Sequence, residues 1–166
     1  GSLGKFCNML AEKVAFMSEQ IYQEYSLNTV PYILKLAMNA EDRHIENGAK
    51  EQSSWNKCRG IDEDKFSAQA RFYYNKVIKI YKDNEIRYHW RLIDTYEGLA
   101  RLVKDNKYEL IGIADYDSEV ADESFASVYY LKQACMILEV ICGTEHPLFG
   151  EMYVKIGFIY QEEGQL

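Results

Sequence analysis

The chain has 166 residues, 48% of them apolar and 27% charged, which suits one buried core and excludes wholesale disorder. Its net charge of −7 repels phosphate backbones, so no nucleic acid partner is expected. No apolar run is long enough to span a bilayer and no secretory leader is present, so no membrane partner is expected and an intracellular site, cytoplasmic or nuclear, is.

Helical spacing dominates. Phe6, Leu10, Val14, Met17 and Ile21 step by three or four residues and predict a first helix over about residues 5–25 with that stripe buried. Residues 26–29 break it. Pro31 suits the first turn of a second helix, with Asn28 or Thr29 as its cap and Val30, Ile33, Leu34, Ala37 and Met38 as its apolar face. The two helices make a hairpin over residues 5–40. Residues 41–61 read as a polar loop, either partly helical or a mobile insert, with Trp55 as an anchor.

Asp62 opens a third helix, with Phe66, Ala70, Tyr73, Val77 and Tyr81 as its stripe. A fourth carries Ile86, Trp90, Ile93, Tyr96, Ala100 and Val103. It ends at residues 104–106; in residues 107–123 the apolar part, Tyr108 to Ile113, reads as a short helical extension and the acidic insert 115–123 as a solvated linker. Ser124 caps a fifth helix lined by Phe125, Val128, Leu131, Cys135, Leu138 and Cys142, and Gly143 supplies its left-handed stop. Pro147 starts a sixth, lined by Phe149, Met152, Tyr153, Ile156 and Tyr160, which Gly164 ends. No segment shows convincing strand periodicity. The expected fold is all-α, one domain over 1–166, built from antiparallel helical hairpins that each leave an apolar face for the next to cover.

The chemistry-bearing residues form no catalytic constellation, and no catalytic residue is assigned. Cys7, Cys58, Cys135 and Cys142 make no Cys-x-x-Cys pair, and no metal or cofactor is expected. Cys135 and Cys142 read as small core residues. His146 reads as a turn cap before Pro147, while His44 and His89 lack a recognisable nucleophile partner. Asp115, Asp117, Glu119, Asp122 and Glu123 do not have the spacing of a calcium loop.

Residues 130–164 resemble the long-period tetratricopeptide repeat of kinesin light chains. The matching positions are Tyr130, Ala134, Ile137, Leu138 and Glu139, the turn from Gly143 to Pro147, then Gly157, Tyr160, Gln161 and Gly164. Ala134 and Gly157 are read as small residues that let helices approach closely. A longer stretch, about residues 62–163, resembles the carboxy-terminal domain of SET- and MYND-domain lysine methyltransferases. It includes Lys76 to Lys82, Tyr88, Trp90, Leu92, Tyr96, Gly98 to Leu102, and the turn from Glu139 to Pro147. The resemblance implies a tetratricopeptide-like, right-handed superhelical stack that serves as a protein-interaction module. The chain departs from that family in lacking the SET core, the cofactor-binding glycine motif and the MYND and post-SET cysteines. It is therefore expected not to be an enzyme itself, with methyl transfer belonging to sequence outside it. The start at Gly1-Ser2 without a Met reads as an expression scar, so a longer natural protein is expected.

Charge is unevenly spread: residues 1–70 total −2, residues 71–107 total +4 and residues 108–166 total −9. Within the basic centre, Lys76 and Lys79 lie one turn apart on the third helix, and Arg87 and Arg91 one turn apart on the fourth. An antiparallel pair would bring the four to one groove suited to an acidic peptide or its terminal carboxylate. Chaperone-binding tetratricopeptide domains use such chemistry. A free-standing adaptor for acidic or chaperone tails is thus the alternative to a methyltransferase repeat domain.

Overall fold

The computed structural model describes residues 2–51, 65–103 and 126–162, and all of its regular structure there is helical. The helices are α1 (Ser2–Tyr22), α2 (Val30–Glu51), α3 (Lys65–Asp83), α4 (Trp90–Leu102), α5 (Ala126–Cys142) and α6 (Pro147–Glu162). Where one domain is expected over 1–166, the helices gather into two compact units, Gly1–Ile86 and Arg87–Leu166. The residues read as the acidic insert, Trp55, Cys58, Phe125, the cap Ser124 and the stop Gly164 lie outside the described residues.

In the first unit, α1 ends at Tyr22 rather than near residue 25. Gln23 takes a left-handed φ of 72°, which an α-helix cannot continue. Ser26 then caps a short 3-10 turn over Leu27–Thr29, its Oγ accepting from the Asn28 N–H at 3.3 Å. Thr29 is fully buried and donates its hydroxyl to the Ser26 carbonyl at 2.6 Å. Pro31 sits in the first turn of α2, as expected.

Helix α2 runs on to Glu51, so the first part of the stretch read as a polar loop is helical. Two contacts to α3 explain why polar residues hold that conformation. The Tyr74 hydroxyl donates to Glu41 Oε2 at 2.6 Å in a buried setting, and the Arg43 guanidinium lies 4.5 Å from the Phe66 ring centre. Residue number rises along α2 while it falls along α3 between these two pairs, so the helices are antiparallel. Their shared core is Ile33, Ala37, Ala40, Ala70, Tyr74, Val77 and Ile80.

Helix α1 departs from its predicted face. Phe6, Leu10, Val14, Met17 and Ile21 are all exposed, whereas Ala15 and Ser18 are buried and Gly4 and Ala11 half-buried. Helix α1 contacts α2, and its buried face is made of the small residues Ala15 and Ser18, which leaves the large side chains outward.

In the second unit, α5 packs against both α4 and α6. Its first six residues, Ala126 to Leu131, are all buried, as are Ala134, Cys135, Ile137 and Leu138. Met152 and Ile156 complete the core from α6. Gly143 stops α5 with φ 76°, and His146 caps α6 by accepting at Nδ1 from the Leu148 N–H at 3.2 Å, both as predicted. Trp90 and Tyr153, expected in the apolar stripes of α4 and α6, are exposed, Trp90 at the first position of α4 and Tyr153 on the outer face of α6, and two further expectations fail. Cys142, at the last position of α5, is exposed, so among the described residues only Cys135 is a core thiol. A Cβ added at Gly157 would meet no atom within 4 Å, so no close helix approach requires that glycine among the described residues.

Candidate functional site: an apolar groove in the second unit

Helices α4, α5 and α6 leave a groove of about 250 Å³. Ala100, Leu131 and Ile159 form its apolar lining, and Phe158, 60% exposed, stands at its edge. These positions follow from helical spacing. Phe158 and Ile159 lie one turn beyond Lys155 on α6, and Ala100 and Arg101 lie one turn beyond Glu97 on α4.

Charged side chains surround that lining. Glu97 is largely sheltered, with its side chain 15% exposed, and its Oε2 accepts from Lys155 Nζ at 3.4 Å. Arg101 Nη1 lies 3.9 Å from the same oxygen. One carboxylate thus holds two cations at long range, and both cations remain about half exposed. Glu162 adds a second carboxylate to the lining. The volume lies below the ~300–1,000 Å³ usual for small-molecule sites, and suits one or two apolar side chains of a peptide.

Neighbouring groups are tuned toward their neutral forms. Burial, followed by the nearby charge of Glu97, pushes the Cys135 thiol above its ordinary value of 9.0. That thiol also lies 3.7 Å from Met152 Sδ, in a packing role rather than that of an activated nucleophile. Burial, and then the charge of Tyr129, pushes Tyr96 up to about 12, and its ring sits 6.1 Å from that of Tyr130. Among the described residues, no three His, Cys, Asp or Glu side chains are grouped to hold a metal ion. Also among them, no helix is long and apolar enough to cross a membrane.

Of the four predicted basic residues, two fall in each unit. Lys76 and Lys79 belong to the first unit, Arg87 and Arg91 to the second. Lys76 donates to Glu19 at 2.8 Å and to Glu24 at 3.3 Å, and its side chain is only 13% exposed. Burial pulls its pKa down, but the hydrogen bond and charge of Glu19, then of Glu24, outweigh that and leave it above 10.5. Lys79 pairs with Asp83 at 2.8 Å, which likewise raises it. Both ammonium groups approach the Tyr25 ring, at 5.6 and 5.5 Å.

Arg87 is not on a helix. The chain is irregular from Ile86 to His89, and α4 begins only at Trp90 because His89 is its cap, with Nδ1 accepting from the Arg91 N–H at 3.1 Å. Arg91 lies over the Trp90 ring at 4.8 Å.

Sequence reasoning missed the groove. Its available signal was Lys155, one of only two cations in residues 108–166, one turn before the exposed Phe158. In comparisons with known proteins, no family model, no curated protein and no solved structure matches the chain.

Proposed function

We propose that the chain is a protein-interaction module that anchors a peptide segment of a partner in the groove of α4, α5 and α6. The observation that supports this reading is an apolar lining beside two half-exposed cations that share one carboxylate. An incoming carboxylate could take over Arg101 or Lys155 while an adjacent apolar side chain enters beside Phe158. The ligand class is therefore a short apolar and acidic segment, in keeping with the acidic tail expected from the sequence. The module would be the carboxy-terminal repeat domain of a SET/MYND-type lysine methyltransferase, working inside the cell without a cofactor of its own. This parentage rests on the sequence resemblance alone.

Titration with fluorescent peptides that pair leucine or phenylalanine with a terminal carboxylate tests the groove. Phe158→Ala and Lys155→Glu should each weaken binding by about tenfold, equivalent to ~1.4 kcal/mol. Equal affinity for both variants and the parent chain would remove the groove from consideration. The same peptides against Lys79→Glu and Arg91→Glu test the adaptor alternative, in which these residues and Lys76 and Arg87 receive the tail. A complete reading frame without a SET core would refute the methyltransferase parentage but leave the groove untouched.

A further inference from the structure

Helix α1 carries a second, independent feature. Leu3, Cys7, Leu10, Val14, Met17 and Ile21 repeat at alternating steps of four and three residues. That is an a/d seam over three heptads, with Cys7, Val14 and Ile21 at a and Leu3, Leu10 and Met17 at d. Every one of the six is exposed: Leu3 by 74%, Met17 by 60%, Ile21 by 69%, and Leu10 and Val14 by nearly half. Met9 and Phe16 extend the same apolar surface. Helix α1 is in contact with α2, and its covered positions, Ala11, Ala15 and Ser18, are not members of the seam.

We propose that this seam pairs, in parallel and in register, with α1 of a second copy of the chain. Three properties favour a second copy over a dissimilar partner. β-Branched residues at a with leucine at d are the pattern of parallel two-stranded coils, and Val14, Ile21, Leu3 and Leu10 follow it. The exposed flank of the seam, Phe6, Lys13 and Gln20, carries a single charge and so no charge code for a different chain, while the other flank, with Ala11 half-buried and Ser18 buried, turns toward the body of the chain. An antiparallel pair would bring both Lys13 side chains to one rim, a like-charge contact that the parallel pair avoids. Finally, the area is sufficient. The exposed parts of Phe6 and the five large seam residues come to on the order of 700 Å² per copy, against about 800 Å² per partner in a standard stable interface. A free helix of this length would have to be ordered on association, but α1 is already held by α2.

The in-register pair makes a specific covalent prediction, because Cys7 faces Cys7 across the axis. The test uses the full chain with Cys58→Ser and Cys142→Ser. Sedimentation equilibrium should give twice the chain mass of 19.4 kDa at micromolar concentration. Diamide, which takes up the two electrons and two protons released, should then convert the two Cys7 thiols into one intermolecular disulfide. Met17→Glu should weaken association at least tenfold with helix content unchanged by circular dichroism, because Met17 supports no intramolecular core. A monomer at all concentrations overturns the proposal, as does a dimer indifferent to Met17→Glu. A dimer that forms no Cys7 disulfide overturns the parallel register.

Discussion

Helices α1 and α5 are both rich in apolar residues, yet their fates differ. α5 buries ten side chains because α4 and α6 cover it from two sides, while α1 buries only Ala15 and Ser18 because α2 covers it from one. Apolar content reports that a surface wants a partner, not that the chain supplies one. The small residues decide the matter for α1. Ala15 and Ser18 are its buried positions and Ala11 is half-buried, so the larger side chains are left for another surface.

The largest test of this contrast is a matched pair of truncations. Leu138→Ala in α5 should cost about 2–5 kcal/mol, since the site is 2% exposed and a cavity remains. Leu10→Ala in α1 should cost less than ~0.5 kcal/mol at concentrations where the chain is monomeric. Urea unfolding measures both, and similar losses at the two sites would erase the distinction.

Polar anchoring gives the next effect. In the first unit, Tyr74→Phe deprives the buried Glu41 of a 2.6 Å hydrogen bond and should cost about 1–3 kcal/mol. A double-mutant cycle with Glu41→Gln should show coupling between the two; additive losses would mean that the bond does not hold α2 to α3.

A smaller, pH-dependent term belongs to the second unit. His89 caps α4 through a neutral Nδ1, and burial, then Arg91, hold its pKa below the ordinary 6.5. Because the folded value is lowered, the cap's contribution is complete above pH 6.5 and is lost as pH falls through the folded pKa. His89→Ala should cost about 1 kcal/mol at pH 7.5 and less at pH 5. Chemical denaturation at the two pH values distinguishes this from a contact that does not titrate.

The smallest effect should be a gain. Gly157→Ala fills open space inside α6 and should stabilise by about 0.5–1 kcal/mol, raising the melting temperature. A loss would restore the close helix approach read from the sequence.

Much of the fold was legible because its signals are local. Gly143, His146 and Pro147 stop one helix and start the next through backbone geometry that needs no distant residue. The continuation of α2 through residues 41–51 was less legible, since Glu41 and Arg43 read as solvent-facing until Tyr74 and Phe66 are brought beside them. The groove was illegible for the same reason: Glu97 and Lys155 are 58 positions apart and meet only when α4 and α6 both pack on α5. The basic quartet looked coherent by number alone. In three dimensions Lys76 is neutralised by Glu19 and Glu24, and Arg87 precedes its helix.

By itself, then, the sequence determined the all-helical class, the turns and the existence of an apolar stripe on every helix, because each is set by periodicity and capping within a few residues. Which stripe is covered, which carboxylate is paired and which apolar side chains stay in water was decided only by tertiary contact. A helix face has no fixed environment until another helix lies against it, and burial and charge pairing are properties of that contact rather than of either segment.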